Sequence, residues 1–370
     1  MRLEKLTLLN FKNIAECELV PSKGINCIVG ANGAGKTNLV DAIHYLSMSK
    51  SSLQMTDGQS LRHGEGCFMV AGEYTTDSDM GIRVNLGFRK GEGKKMQFCG
   101  KEYERLADHI GVVPLVMVSP ADGALVSESA DERRRWLNAF ISQLDKGYLD
   151  DTMRYNRILA ERNTLLKQGE MAMPELLDVV DERMASLAER VAATRRDTLE
   201  RLAPIVEQLY ADIAGESEHV ELSYRSELNN GPFVDTLRAA RTKDLVMGFS
   251  TCGIHRDDVV MTIGGYPLRK FGSQGQQKSF LLALKLAQYR LLGERLGERP
   301  ILLLDDLFDK LDEVRVGRLV ELTSGEAYGQ VFITDCNRHR LASLLRTRNV
   351  PYRLFSVSEG EVVVENENEE

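Results

Sequence analysis

GANGAGKT, residues 30–37, follows the apolar run GINCIV and leads into LVDAIHYL, residues 39–46. It satisfies the pattern G-x-x-x-x-G-K-[ST] in full. It also stands between a strand-like and a helix-like segment, the setting that the pattern requires. A glycine-rich turn of this kind aims successive backbone N–H groups at a phosphate, with a helix N-terminus behind them. The residues assigned to the turn are Gly30, Ala31, Asn32, Gly33, Ala34, Gly35, Lys36 and Thr37, with Asn38 beginning the helix. Lys36 is expected to reach the terminal phosphate oxygens and the Thr37 hydroxyl to ligate Mg2+. The turn thus predicts an α/β nucleotide-binding fold.

On either side the chain alternates strand and helix. Leu6-Thr7-Leu8 reads as strand, and Leu39, Val40, Ile43 and Leu46 recur at helical spacing. GIRVNLGFR places Ile82, Val84, Leu86 and Phe88 on one side and Arg83, Asn85 and Arg89 on the other. With FMVAGEYT (68–75) and KMQFCGKEYER (95–105) it predicts an antiparallel meander. Composition changes near residue 129. Ser129 and Glu132 have capping-box spacing, and Trp136, Leu137, Phe140, Ile141 and Leu144 form an apolar stripe after them. A long helix follows, with Met184, Leu187 and Val191 on one face, Pro174 near its start, and Pro204 expected to kink or split it. Residues 129–247 therefore read as a mainly helical insertion, and 1–128 with 248–370 as the α/β domain that it interrupts.

ILLLDD, 301–306, and QVFITD, 330–335, have the continuous apolar character of parallel strands covered on both faces. Asp305 and Asp306 close the first of these. With ILLL beside the strand that precedes the glycine turn, Asp305 supports the magnesium and Asp306 orients the attacking water. A second phosphate-gripping device appears at FGSQGQQKS, 271–279, whose Ser273 lies 237 residues beyond Lys36. There Ser273 would cap a helix whose free N–H groups suit an anion.

The order of these motifs resembles the ABC-type ATPase heads of the SMC/Rad50 group. NFKNI (10–14), GANGAGKTN (30–38), ERRRWL (132–137), ERNTLL (161–166), GIHRDD (253–258), FGSQGQQKS and LLLDDLFDKLD (302–312) together resemble the RecF family over nearly the whole chain. That resemblance implies an ABC-type P-loop ATPase head of mixed parallel and antiparallel sheets with an inserted helical subdomain. It implies ATP and Mg2+ as cofactors, with weak, DNA-stimulated hydrolysis at Asp306 and Lys36. Ser273, Gln274 and Gly275 become the signature that grips ATP held by a second copy, and Asp312 belongs to a loop crossing that dimer interface. The expected partners are DNA, bound as duplex or gapped junctions with low sequence specificity, together with RecO and RecR. The expected role is recombinational repair and fork recovery, supporting RecA loading and SOS induction. Three positions depart from the family pattern: Ile254 replaces proline, Lys278 replaces arginine, and Asp309-Lys310 replaces Ser-Glu. No Q-loop glutamine stands in LVMVSPAD, 115–122.

Bulk composition limits the alternatives. Hydrophobic content of 43% and charged content of 28% read as a soluble globular chain. No membrane span or secretory segment is legible, so the cytoplasm is the expected compartment. The six cysteines, at 17, 27, 67, 99, 252 and 336, form no metal-ligand pattern. A transporter ATPase would carry LSGGQ and a shorter interval between its motifs. An SMC-type arm would need far more helix, and a non-hydrolysing DNA scaffold remains a rival reading. Net charge of −8 places any DNA contact on local basic faces. The candidates are Lys12, Arg62, Arg89-Lys90, Lys94-Lys95, Arg133-Arg134-Arg135, Arg154, Arg157 and Arg162. His255, beside Arg256, could lie near the dimer seam or the nucleotide, or be bonded within its own turn.

Overall fold

The computed structural model describes residues 1–169, 173–215, 218–229, 231–307 and 313–368. The first third of the chain forms β1 (Arg2–Phe11), β2 (Ile14–Leu19), β3 (Ile25–Val29), α1 (Lys36–Met48), β4 (Cys67–Thr75), β5 (Gly81–Arg89), β6 (Gly93–Phe98), β7 (Lys101–Glu102) and β8 (Leu115–Val118). The middle forms α2 (Ala124–Ser127), α3 (Ala130–Leu144), α4 (Lys146–Leu166), α5 (Pro174–Ala214), β9 (Val220–Arg225), α6 (Phe233–Met247), β10 (Asp258–Ile263), β11 (Tyr266–Pro267), α7 (Leu268–Phe271) and α8 (Gln274–Leu296). Last come β12 (Ile301–Leu304), α9 (Glu313–Thr323), β13 (Val331–Asp335), α10 (Arg338–Thr347), β14 (Tyr352–Ser358) and β15 (Glu361–Asn368).

These elements divide into two compact units. One is Met1–Asp122 with Asp212–Ala214 and Leu282–Glu370; the other is Gly123–Ala211 with Gly215–Leu281. The second unit reaches beyond the 129–247 block because β10 pairs with β9 along its whole length and so takes the following segment with it.

The first unit has the α/β architecture of an ABC-type ATPase head, built on two six-stranded sheets. The antiparallel one runs β2-β1-β4-β5-β6-β7, and within it the expected meander is β4, β5 and β6. Val84 and Leu86 of β5 are buried, while Ile82 and Phe88 pack against the core from its margin. The other sheet runs β15-β14-β3-β13-β12-β8, parallel except for β15 at its edge. Every residue of β3, β8, β12 and β13 is buried, which is why these strands read as unbroken apolar runs. Leu39, Val40, Ile43 and Leu46 of α1 bury the predicted face in one cluster with Leu6 and Leu8 of β1 and Ile28 of β3. At roughly 1.5–3 kcal/mol per fully buried aliphatic side chain, that cluster fixes the helix that begins at the glycine turn. One expectation is corrected. β12 is not beside β3, since β13 lies between them with Thr334 paired to Ile28 and Ile333 to Leu304.

The second unit is mainly helical, with a three-stranded antiparallel sheet of order β11-β10-β9. Trp136, Leu137, Phe140 and Ile141 of α3, and Met184, Leu187 and Val191 of α5, are buried as their spacing predicts. Pro174 is the first residue of α5. Pro204 does not split this helix, which runs 41 residues through it. The buried residues Leu199, Leu202, Val206 and Leu209 grip both sides of the proline, outweighing a penalty of about 3 kcal/mol. Nor does Ser129 make the expected capping box. Its side chain bonds no first-turn amide, and Glu132 pairs instead with Arg135 at 2.5 Å.

Candidate functional site: the carboxyl edge of the parallel sheet

The C-terminal ends of parallel strands leave the sheet at one edge, and in the first unit the ends of β3, β12 and β13 carry the site there, flanked by those of β14 and β8. The turn Gly30–Gly35 joins β3 to α1. Gly33 and Gly35 have φ of 81° and 120°, where a side chain is strained. A Cβ at Gly30 would stand 2.3 Å from the Val357 carbonyl oxygen of β14. The turn is thus a backbone cradle that side chains would fill, which fits a phosphate ligand. The Lys36 ammonium is held by the carbonyls of Gly30 (2.8 Å) and Ala31 (3.0 Å), inside the loop. Asn13, in the β1–β2 hairpin, braces the turn. Its amide donates to the Ala34 carbonyl at 3.0 Å, and its Oδ1 accepts from the Asn38 side chain at 2.8 Å.

Asp305 and Asp306 leave the end of β12. The Thr37 hydroxyl lies 3.3 Å from Asp305 Oδ1, joining residues 268 apart in sequence. Thr334, buried in β13, donates to the same oxygen at 2.7 Å and accepts from the Asp306 amide at 2.9 Å. The Asp305 amide donates to the Val118 carbonyl of β8 at 2.8 Å. Burial raises the Asp305 carboxyl above its ordinary range, reinforced by the charge of Asp306; the Thr334 and Thr37 hydroxyls and the Lys36 charge pull the other way. A divalent cation would relieve that burial cost, so this donor set fits Mg2+, with Thr37 as ligand and Asp305 behind it. Asp306 has φ of 48°, a left-handed conformation that aspartate tolerates better than most residues. It is half-buried. Asp309, Lys310 and Asp312 lie outside the described residues. After β8, where a Q-loop glutamine is missing, Asp122 accepts from the Ser119 amide at 2.7 Å and from Lys285 at 2.6 Å.

In the second unit, Ser273 does make the capping box that Ser129 does not. Its hydroxyl accepts from the Gln276 amide at 3.2 Å, and Gln276 Oε1 accepts from the Ser273 amide at 2.6 Å. Gln276 also donates to Glu218, which tethers the turn to its own unit. Ser273 and Gln274 are exposed. In the first turn of α8 the amides of Gln274 and Gly275 have no intrahelical acceptor, so this helix end offers donors and dipole to an outside anion.

The basic candidates separate by their partners. Arg162 is fully buried, with Asp181 and Asp244 each at 2.6 Å, so it is a core ion cluster and not a DNA contact. Lys12 is held at 2.5 Å by buried Asp41, and Arg133 at 2.6 Å by Asp258. Arg134 is spent on Asp131 and the Asp257 carbonyl. Arg62, Arg89, Lys94, Lys95 and Arg135 each have a carboxylate within 4.0 Å. Exposed Arg154 and Arg157 of α4 have none among the described residues, and neither has Arg183 of α5, which the sequence reading omits. The three line one groove of about 610 Å³ with Ile158 and Leu187. Asp151, the nearby acid, is taken by Arg190 through two bonds of 2.7 and 2.9 Å. Glu182 in the same groove faces Arg238 at 3.4 Å.

His255 is bonded within its own unit, Nδ1 to the Tyr155 hydroxyl at 2.8 Å and Nε2 to the Ser250 carbonyl at 3.2 Å. Burial holds its pKa below the usual histidine value. Ile254 is buried, and its carbonyl accepts from Arg195 at 2.9 Å.

Known proteins resemble this chain in sequence and in fold. The family model described as "RecF/RecN/SMC N terminal domain" matches residues 2–361. The DNA replication and repair protein RecF of Porphyromonas gingivalis (strain ATCC BAA-308 / W83) is 45% identical over 363 residues, covering 98% of this chain and all of that protein. The protein of the same name from Flavobacterium johnsoniae is 38% identical over 360 residues, covering 96% and 100%. A solved structure of the recombination mediator protein RecF-ATP in the RecFOR pathway superposes with a TM-score of 0.88 at 29% identity, covering 98% of this chain and 97% of that one. An Smc head bound to the C-winged helix domain of ScpA matches with a TM-score of 0.60 at 16% identity, covering 100% and 98%, a likeness of fold.

Proposed function

This chain belongs to the RecF family of ABC-type ATPases, and from that premise we propose that it is an ATP-switched DNA-binding protein of replication and repair. One observation carries the reading. The glycine turn and the ILLLDD carboxylates, distant in sequence, meet through the Thr37–Asp305 contact at the edge of one parallel sheet. Gly30 to Asn38 would hold the nucleotide phosphates through backbone N–H groups, with Lys36 on the terminal oxygens. Bound Mg2+ would neutralise charge developing on the transferred phosphoryl group. Thr37 and Asp305 hold the cation side of the site, and the Asp306 carboxylate orients water for in-line attack. Aspartate is one methylene shorter than glutamate, which makes slow turnover, suited to a switch, the expected behaviour.

Ser273, Gln274 and Gly275 are the anion-binding helix end for ATP held by a second copy. Such an arrangement makes ATP the bridge of a two-fold homodimer, with hydrolysis releasing it. The dimer is proposed to close on duplex or gapped DNA, contacting phosphates with little base reading. Within the second unit, Arg154, Arg157 and Arg183 line one groove and have no carboxylate within ion-pair distance among the described residues, which makes them the favoured phosphate contacts. RecO and RecR as partners, and support of RecA loading and SOS induction, follow from family membership as part of the same proposal. Among the described residues no helix is long and apolar enough to cross a membrane.

Light scattering tests the switch. The mass should double with ATP and Mg2+ and stay at one protomer with ADP. Ser273→Arg should stay at one protomer while still binding ATP. A mass indifferent to ATP, or to the substitution, would retire the assignment of Ser273 to a partner's nucleotide.

A further inference from the structure

Thr334 is a residue of the site to which no motif assigns a role. It belongs to β13, the strand standing between the glycine-turn strand β3 and the carboxylate strand β12. Its side chain is fully buried, yet one hydroxyl makes both available kinds of bond. The Asp306 amide can only donate, so in that 2.9 Å contact Thr334 accepts. The hydroxyl proton is then free for Asp305 Oδ1 at 2.7 Å, shorter than the 3.3 Å contact of Thr37 to the same oxygen. A single group therefore ties the side chain of one carboxylate to the backbone of the next.

The need for such a tie is local. At Asp305 the chain leaves β12, and at Asp306 it turns through φ of 48°. β8 holds Asp305 by its amide alone, through Val118. Among the described residues, it is the amide bond to Thr334 that fixes Asp306 at this turn.

We propose that Thr334 is a positioning residue of the nucleotide site. It sets the two carboxylates at fixed places relative to each other, so that magnesium support and water orientation are delivered together. The proposal rests on reading Asp305 and Asp306 as the metal-supporting and water-orienting groups. It goes beyond that reading by assigning their geometry to a hydroxyl on the intervening strand.

Thr334→Val keeps the volume and removes the hydroxyl; Thr334→Ser keeps the hydroxyl and removes a methyl. Binding of a fluorescent ATP analogue should be measured with Mg2+ and with EDTA, beside turnover and thermal melting. For Thr334→Val the metal-independent affinity should match the wild type. The gain in affinity from Mg2+ should fall about tenfold, the cost of one orphaned hydrogen bond. The kcat should fall at least as far, with little change in KM, and Thr334→Ser should restore both. Wild-type magnesium gain and kcat in Thr334→Val would overturn the proposal. So would a Thr334→Ser variant no better than valine, or equal losses with and without Mg2+ alongside a lowered melting temperature. If valine does not fold, Thr334→Ala is measured in its place, and failure of both to fold would assign Thr334 to stability alone. A wild-type protein whose nucleotide affinity ignores Mg2+ would instead overturn the reading of the site on which this proposal stands.

Discussion

Arg162 shows how a charge that looks available in sequence can be spent inside the molecule. It is fully buried and bonds Asp181, Asp244 and the Ser250 hydroxyl, while Arg241 reaches Asp181 from the other side at 2.8 Å. Burial works against the charged guanidinium, but its two carboxylate partners outweigh it and hold its pKa above the ordinary value. Replacing it with leucine leaves buried Asp244 without its charge partner and Asp181 with Arg241 alone, a loss of about 3–5 kcal/mol. Arg162→Leu should lower the thermal midpoint markedly while leaving the DNA affinity of the folded fraction unchanged. A variant that melts normally but binds DNA weakly would return Arg162 to the surface. ERNTLL gives no sign of this burial, because Asp181 and Asp244 lie 19 and 82 residues away. Asn13 and Thr334 were equally invisible as site residues, since a common polar residue has no signature until its partners are placed.

Among the elements, the contrast of two serines tests local against tertiary control. Ser129 and Ser273 both precede helices, and both are followed three residues on by Glu or Gln. Ser273 makes the reciprocal bonds and Ser129 does not. Ser273→Ala should cost about 1 kcal/mol of stability, and Ser129→Ala less than half as much, read from urea midpoints. Equal losses would mean that the Ser129 cap forms in solution. Helix and strand placement was otherwise largely legible: the apolar runs of β12 and β13, the meander, and the α1 stripe all appear where periodicity puts them. The failures have a common cause. Ser129 lost its partner when Glu132 took Arg135, and the split expected at Pro204, the one part of that expectation the helix overturns, was prevented by the buried residues around it.

At the scale of the whole molecule, a net charge of −8 must coexist with attraction to a polyanion. Local surplus resolves this where neighbouring acids are already committed, as at Arg154, Arg157 and Arg183. If these residues contact phosphates, each replacement by alanine should weaken duplex binding uniformly across sequences. Each should also reduce the slope of log affinity against log salt by about 1. Loss of affinity with an unchanged slope would show that the groove recognises something other than a phosphate backbone. An acidic protein segment retained by wild type and lost by the triple variant, with DNA binding intact, would identify that alternative. Such a surplus is a property of the folded surface: in sequence Arg133 looks as available as Arg154, and it is not.

The sequence alone determined the glycine turn, the carboxylates that end an apolar strand, the serine-capped helix at 273, and the interruption of an α/β head by helices. Those features are set by short-range chemistry: glycines needed for backbone approach, apolar runs needed for a strand buried on both faces, a serine before a helix. Only the tertiary structure decided which strand stands between the turn and the carboxylates. It also decided which hydroxyl joins them and which arginines keep an unpaired charge. Each of those depends on partners brought together by strand order and helix packing, and a linear sequence does not state the distance between residues that meet only after folding.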